Sequence, residues 1–445
     1  MKTIQLLYRG FCPLLALFVA QTVFGEPAQL SLKDAVARAQ QQDPWIQGSL
    51  YRQQALEAQS TSASALPDPM VTAGFANLPT NTFNFDQEPM TQFRVGVSQA
   101  LPRGDSRALQ QQKLSLMGDQ HPYQRADRRA QVEAEVSGLW LDAWLASQTM
   151  QLIEQDTDLF IQLVDIAESS YVNSIKGARQ QDLVHAQLEL TRLEDRLVSL
   201  REQQDVAVSQ LSEWLQSSDG SDFGSVNYTL PQELPQVTPM APQLFEAEQA
   251  PTPQSLAMIL REHPALKSVD QRLAASSTSI KLAQQNYRPE WRLNASYGYR
   301  DDDPVGQPRA DFFSFGVSFD LPLFTSNRQD QQVISATANT ESLRTDRALL
   351  LRKMVSQMTT LHARLQRLNE RQALYQTRLL LDMSAQVDAT MDAYTNDDGD
   401  FTEVVRARID ELNTQIDALN IAVNRQKTIA QLNYFFASSN YLEGQ

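Results

Sequence analysis

The chain has 445 residues, a formal net charge of −15 and one cysteine, Cys12. A nucleic-acid-binding protein needs a basic surface, which this acidic composition excludes, so we expect no nucleic-acid partner. Disulfides, thiol catalysis and cysteine metal sites are excluded from the mature chain as well, because Cys12 lies in a segment that we expect to be removed.

That segment, residues 1–25, resembles a secretory signal peptide. Lys2 and Arg9 give a basic start, the apolar run "FCPLLALFVA" follows, and "VFG" before Glu26 offers a cleavage point. The run is shorter than the ~20 residues that a membrane-spanning helix needs, which favours a cleaved leader over an anchor. The residues before Cys12 do not form a lipid-attachment motif, so no lipid anchor is expected.

After the leader, the chain contains one unit twice. "FRVGVSQALP" from Phe93 and "FSFGVSFDLP" from Phe313 share six of ten residues and begin 220 positions apart, as do Asp43-Pro44 and His263-Pro264. Repetition at a fixed distance indicates two copies of one structural unit, and the proline-rich stretch between them predicts an irregular linker. The leader is assigned to 1–25 and the first repeat to 26–216. The linker follows at 217–253, the second repeat at 254–439 and the tail at 440–445.

Each repeat begins with polar, alanine-rich helix and continues with two strands of alternating apolar and polar residues. Strands of about 10 residues suit a tilted membrane-spanning strand, and their polar faces fit a water-filled lumen better than a packed core. A soluble hairpin with one buried face is the alternative. The strands are predicted at about 68–78, 91–102, 290–300 and 311–322. The side chains expected to face lipid are Val71, Phe75, Phe93, Val95, Val97, Trp291, Leu293, Tyr297, Phe313, Phe315 and Val317.

Long helices follow both strand pairs. Residues 327–394 contain no Gly or Pro, and at ~1.5 Å per residue such a helix reaches about 100 Å, which is typical of a coiled coil or a helical tube. In the first repeat, Gly118 and Pro122 interrupt the pattern, so we expect a break near His121.

Both long helices are expected to turn back at tips containing glycine, at about 171–181 and 394–402. An acidic residue follows each turn, Asp182 in the first repeat and Glu403 in the second. Carboxylates stabilise a helix N-terminus, so a purely structural role explains both residues without further function.

The signal peptide, the duplicated helix–strand–strand–helix–turn–helix unit and the proline-rich middle together resemble the TolC family of outer-membrane efflux proteins. The resemblance implies a mainly α protein with a membrane β-barrel. In such a trimeric TolC-like α/β barrel, each protomer gives four strands to a twelve-stranded barrel and long periplasmic helical hairpins in two tandem repeats. It also implies a homotrimer in the lipid of the cell outer membrane, with a large periplasmic portion.

The implied function is that of a passive duct in a tripartite efflux system, working with a periplasmic adaptor (membrane fusion) protein and an inner-membrane pump of the RND type. "ALPDPMVTAGFANLP" and "PMTQFRVGVSQALPRGD" are most similar to the CusC/CzcC-like heavy-metal efflux branch, which makes heavy-metal cations one expected cargo. Drugs and secreted proteins are alternative cargoes. A non-conducting coiled-coil envelope protein is the alternative function.

Two site hypotheses come from the resemblance, because acidic residues near the second turn narrow the periplasmic entrance in the family. The expected gate residues are Asp397, Asp398, Asp400, Glu403 and Arg406. The alternative is a purely structural role, in which the turn is solvated and Asp400 or Glu403 caps a helix. The residues expected to contact the adaptor are Tyr171, Gly177, Asp182, Tyr394 and Gly399.

Enzyme chemistry is not expected. The four histidines form no close pair and no HExxH pattern, and the chain has no glycine-rich phosphate loop and no nucleophile elbow. We therefore assign no catalytic residue, no cofactor and no metal site.

Overall fold

The computed structural model describes residues 28–172, 180–216, 228–245, 251–396 and 399–437. Within these ranges, long helices form a bundle, and a four-stranded antiparallel sheet lies beyond one end of it. The expected leader and tail lie outside the described residues.

The first unit runs from a short strand through two helices to a hairpin and a long helical pair. Its elements are β1 (Ala28–Gln29), α1 (Leu32–Gln42), α2 (Pro44–Ser64), β2 (Met70–Ala76), β3 (Gln92–Leu101), α3 (Ser106–Val172) and α4 (Gln180–Leu215). Asp43 caps α2 by accepting a hydrogen bond from the Trp45 N–H at 3.0 Å. Pro44 follows at the first helical position, where its missing N–H has no partner to lose.

The second unit repeats this order after the linker. The linker contains β4 (Tyr228–Thr229), which pairs in parallel with β1, and α5 (Pro242–Phe245). The elements that follow are α6 (Pro253–Leu260), α7 (Pro264–Gln284), β5 (Trp291–Tyr299), β6 (Phe312–Phe319), α8 (Gln329–Leu374), α9 (Leu380–Thr395) and α10 (Phe401–Tyr434). His263 caps α7 by accepting from the Ala265 N–H at 3.2 Å, as Asp43 does in the first unit.

The sheet has the strand order β2-β3-β5-β6, and every neighbouring pair is antiparallel. The two units meet in its middle, where Leu101 of β3 lies opposite Trp291 of β5. Strands β2 and β6 form the outer edges, so each presents one backbone edge that has no partner strand within the described chain. The strands fall inside the four segments in which the sequence predicts them.

The expected break near His121 is wrong, because α3 is continuous from Ser106 to Val172 with Pro122 inside it. A proline removes one backbone hydrogen bond from a helix interior at a cost of about 3 kcal/mol. Packing against α2 and α7 offsets that loss: His121 is buried, and its Nδ1 lies 3.2 Å from the Ser49 Oγ of α2. Tertiary contacts therefore keep helical a segment that local propensity alone would interrupt.

The second long helix is one rod with a single irregularity. A π-helical turn at Tyr375–Leu379 joins α8 directly to α9. One widened turn inserts a residue into the hydrogen-bond ladder without ending the helix. The rod spans residues 329–395, close to the uninterrupted run that the sequence predicts.

Across the described residues, apolar side chains are buried in three clusters along the helices. The first packs Phe160 of α3 and Leu412 of α10 at the half of the bundle that includes the turns. The second surrounds Trp140, whose Nε1 donates to the Leu30 carbonyl at 3.1 Å. The third packs α6 against α8 and α10 through Leu260 and Met358. The second and third clusters also include linker residues, such as Tyr228 and Val237, and so tie the linker to the long helices.

Candidate functional site

One face of the sheet is apolar and exposed to its surroundings. Residues of odd number share this face, because side chains alternate along a strand and the register pairs odd with odd residues. Phe313 is 74% exposed and Phe75 is 65% exposed. All the residues expected to face lipid lie here: Val71, Phe75, Phe93, Val95, Val97, Trp291, Leu293, Tyr297, Phe313, Phe315 and Val317. An exposed apolar surface of this extent indicates contact with another apolar phase or partner.

The opposite face carries mostly small and polar side chains. Gly96 of β3 lies opposite Ser296 of β5, which lies opposite Ser314 of β6. Asn294 on the same face donates to the Ser318 Oγ at 3.4 Å. The sheet is therefore amphipathic, with an exposed apolar face opposite a face of small and polar side chains.

The loops beyond the two hairpins are joined to each other. The Nη1 of Arg300 donates to the Pro89 carbonyl at 2.9 Å, and the Nη1 of Arg309 donates to the Asp86 carbonyl at 3.0 Å. Each contact links a loop of the second unit to a loop of the first. The hairpins are therefore held together both by the β3–β5 pairing and at their far ends.

The starts of the two returning helices, α4 and α10, lie side by side at the other end of the bundle. Asp182, near the start of α4, is buried, and its Oδ1 accepts a hydrogen bond from the Thr402 Oγ1 of α10 at 3.2 Å. This contact connects the starts of the two returning helices. Asp182 was expected to contact an adaptor, and its burial within the protomer indicates that it holds the two hairpins in position.

The expected gate residues differ in their surroundings. Asp400 caps α10, because its Oδ1 accepts from the Thr402 N–H at 3.1 Å. Glu403 and Arg406 lie in the first turns of α10 and are exposed. Asp397 and Asp398 lie outside the described residues. A ring of these carboxylates around a common axis stays a prediction, and the capping role of Asp400 is compatible with it.

The remaining tip residues shape the second turn. The Tyr394 ring packs edge-on against Phe401 with centroids 5.7 Å apart. Gly399 lies so close to the helix end that a Cβ there would come within 2.7 Å of the Tyr394 backbone nitrogen. This close approach explains the glycine. Tyr171 lies in the last turn of α3, and Gly177 lies outside the described residues.

A buried polar network at mid-length was not foreseen from the sequence. The Tyr434 hydroxyl of α10 donates to the Asp127 carboxylate of α3 at 2.8 Å, and the Nε2 of His263 lies 2.9 Å from the Tyr434 carbonyl. Because Nδ1 of His263 accepts from Ala265, the neutral tautomer with a proton on Nε2 satisfies both bonds. Burial lowers the pKa of His263 and raises the pKa of Asp127.

The network lies at the junction of α7 and α10, and its Asp127 and Tyr434 line a cavity of about 940 Å³ between α3, α7, α8 and α10. His263 is 1% exposed, and its ring packs on Tyr434 with centroids 4.8 Å apart. The only sequence signal for it was the repeated X-Pro motif at His263-Pro264, which indicates a helix start but not the partners. The arrangement fastens the helices together, and none of its groups is placed as a nucleophile beside a base.

No helix in the described part of the chain is long and apolar enough to cross a membrane. Across the same residues, no group of three or more His, Cys, Asp or Glu side chains is placed to hold a metal ion.

No family model and no curated protein matches the chain, but solved structures share its fold. The outer-membrane channel OprN superimposes with a TM-score of 0.74 at 14% identity, covering 92% of this chain and 90% of that one. The transmembrane channel CusC gives 0.73 at 15% identity, covering 93% and 95%. The CmeC outer-membrane channel of Campylobacter jejuni gives 0.73 at 12% identity, covering 98% and 94%.

These similarities extend over almost the whole length of each chain, so they concern the complete architecture and not one shared motif. The expected TolC-like fold, with long helical hairpins in two repeats and four strands per chain, is confirmed. CusC, whose branch two segments of the sequence resemble, is among the structures that share it.

Proposed function

We propose that this chain is a TolC-family channel of the bacterial outer membrane, and that three copies form a passive duct from the periplasm to the exterior. One observation carries the proposal: a four-stranded sheet with an exposed apolar face, a polar opposite face and two open edges continues into helical hairpins. Solved structures of the same fold are outer-membrane channels.

The open edges support a closed assembly of several copies. A strand edge in lipid leaves backbone N–H and C=O groups without partners, at a cost of several kcal/mol for each group. Symmetric closure removes both edges at once, because β6 of each copy pairs with β2 of the next. Three copies of a four-stranded sheet make twelve strands, whose polar faces line the interior.

The helical hairpins support a periplasmic role with further partners. We infer that the tips at 394–402 and 171–181 meet a periplasmic adaptor, which connects the duct to an inner-membrane pump of the RND type. Gly399 and Tyr394 shape the described part of the second tip. A duct that only conducts needs no catalytic group.

Heavy-metal cations are the cargo that we propose, since segments of the sequence resemble the CusC/CzcC-like branch and CusC is among the solved structures that share the fold. In this proposal, the protein provides the passage and the pump selects the substrate. Deleting the gene and measuring the sensitivity of cells to copper, silver, zinc and a panel of drugs tests the cargo. If the deletion makes cells sensitive to drugs but not to the metals, drugs would replace metal cations as the proposed cargo.

Conductance decides between a duct and the alternative of a non-conducting coiled-coil envelope protein. Purified protein in a planar lipid bilayer is expected to give discrete current steps of one size, and cross-linking in detergent is expected to end at a trimer. Protein that inserts without any current, or that remains monomeric, would contradict the proposed duct.

A further inference from the structure

The charged side chains on the polar face of the sheet are all arginines. Across the four described strands, Arg94 of β3 and Arg292 of β5 are the charged residues, and none of these strands contains a carboxylate. Both arginines have even numbers and therefore lie on the polar face, because even residues pair with even residues in the register. A chain with a formal net charge of −15 thus presents positive charge on this face.

The two arginines differ in their electrostatic surroundings. Arg292 lies at the end of the sheet nearest the helices, and its guanidinium is 3.8 Å from the Glu290 carboxylate. Asp320, at the same end, accepts a hydrogen bond from Arg103. Arg94 lies towards the opposite end, is exposed, and forms no hydrogen bond or ion pair with any other described residue. The charge of Arg94 is therefore not neutralised by a partner within the described chain.

The residues beside Arg94 leave its side chain uncovered. Arg94 lies between Gly74 of β2 and Gly298 of β5 in the register. Apart from the neighbours of Gly74 along the chain, no residue comes within 4 Å of the place that a Cβ on Gly74 would occupy. A Cβ on Gly298 would collide with the Gln92 side chain, which covers that glycine. Neither neighbour in this row has a side chain that shields Arg94.

We propose that Arg94 determines part of the ion selectivity of the duct, by placing a ring of positive charge in the outer part of the lumen. This rests on the proposed trimer, in which the polar faces line the interior and three copies of Arg94 lie at one level. Fixed positive charge in a water-filled passage raises the local concentration of anions and lowers that of cations. The preference at this level is opposite in sign to the one expected at the acidic tip.

Carboxylates in the loops beyond the strands act against the ring. The loop between β2 and β3 contains Asp86 and Glu88, and the loop between β5 and β6 contains three consecutive aspartates at 301–303 as well as Asp311. These groups attract cations to the outer mouth of the duct. A substitution of Arg94 leaves the loop residues unchanged, so differences between variants at this position report its own charge.

A series of variants at position 94 tests the proposal in planar bilayers with the full-length trimer. In a KCl gradient at about 0.1 M, the reversal potential gives the permeability ratio of K⁺ to Cl⁻. We expect this ratio to rise from wild type to Arg94→Gln and again to Arg94→Glu, each time by about 1.5-fold or more. A change of ~0.2 kT in the local potential is enough, because it acts oppositely on the two ions, and clustered charges produce potentials of several kT. Arg94→Lys is the matched control, because it keeps the charge, and its ratio is expected to stay near that of the wild type.

Ionic strength separates an effect of charge from a change in the width of the pore. The Debye length falls from about 10 Å at 0.1 M salt to about 3 Å at 1 M. The difference between wild type and Arg94→Gln is therefore expected to shrink near 1 M. A wider pore without an effect of charge would instead change the size of the current steps at both salt concentrations and leave the permeability ratio unchanged. That result would overturn the role of Arg94.

Trimer yield in detergent checks that each variant assembles. Arg94 has no partner in the described protomer whose loss would destabilise the fold, so near wild-type yields are expected. Equal permeability ratios in intact trimers of the wild type, Arg94→Gln and Arg94→Glu would overturn the proposal while leaving the duct in place. Wild-type protein that gives no discrete current steps would overturn the proposed function instead.

Discussion

At the scale of single residues, Tyr434 joins two helices through one hydrogen bond between half-buried side chains. Its hydroxyl is the donor to Asp127. Removing the donor deletes a partly shielded hydrogen bond, which costs about 0.5–1.5 kcal/mol. We expect Tyr434→Phe to lower the free energy of unfolding by that amount in a denaturant titration followed by circular dichroism.

Tyr375→Phe is the control, because the Tyr375 hydroxyl donates to Asp417 at 3.4 Å on the surface. Water replaces that bond, so a change below about 0.5 kcal/mol is expected. Equal losses of stability in the two variants would show that the Tyr434–Asp127 hydrogen bond contributes no more than the exposed Tyr375–Asp417 bond.

His263 makes stability depend on pH. Burial lowers its pKa from the ordinary value of 6.5, so the unfolded chain takes up the proton first as the pH falls. The contribution of His263 is therefore complete above about pH 6.5 and is lost as the pH falls below it. The raised pKa of Asp127 acts in the opposite direction.

His263→Asn keeps a residue that can cap α7 but does not titrate. Its melting temperature is expected to fall less than that of the wild type between about pH 7 and about pH 5. Asp127 is present in both proteins, but its pKa responds to the charge of His263, so the difference between the two slopes reports the histidine together with its effect on Asp127. Parallel slopes would refute the role of His263.

At the scale of elements, the two faces of β6 predict opposite responses to the same charge. Phe315 is 67% exposed on the apolar face, and Ser314 lies on the polar face. An arginine facing the middle of the bilayer costs about 2–4 kcal/mol, whereas one facing water costs little. We expect Phe315→Arg to reduce the amount of trimer recovered from outer membranes and Ser314→Arg to leave it near the wild-type amount. Equal recovery of the two variants would contradict the assignment of Phe315 and Ser314 to faces in different surroundings.

At the scale of the whole molecule, the proposed trimer brings three copies of every tip residue together. If Asp397, Asp398, Asp400 and Glu403 face the axis, twelve carboxylates surround one entrance, and clustered carboxylates attract cations. Replacing the four residues with their amides is expected to lower the cation selectivity measured from reversal potentials in a planar bilayer.

The amide variant is expected to remain folded, because asparagine caps a helix as well as aspartate does and Asp400 is the residue that caps α10. Circular dichroism and trimer yield check that condition. Unchanged selectivity in an intact trimer would leave the turn as a docking surface for the adaptor.

Local pattern and internal repetition were enough to predict most of the architecture. The alternation around Phe313 and Phe315 specifies which residues share a face, because side chains in a strand alternate whatever the strand pairs with. The absence of glycine and proline from 327–394 indicates one long helix, which the structure has apart from a π-helical turn. These properties depend on neighbours along the chain, so the sequence alone determines them.

Contacts between distant residues were decided only by the tertiary structure. Pro122 remains inside a helix whose neighbouring residue His121 contacts Ser49 of α2, and Tyr434 meets Asp127 across 307 positions. Asp182 is likewise buried against α10, where it bonds to Thr402, and Leu101 pairs with Trp291. Nothing in the local sequence of these segments links them. Such contacts follow from the summed packing of all the helices, and no short stretch of sequence contains that sum.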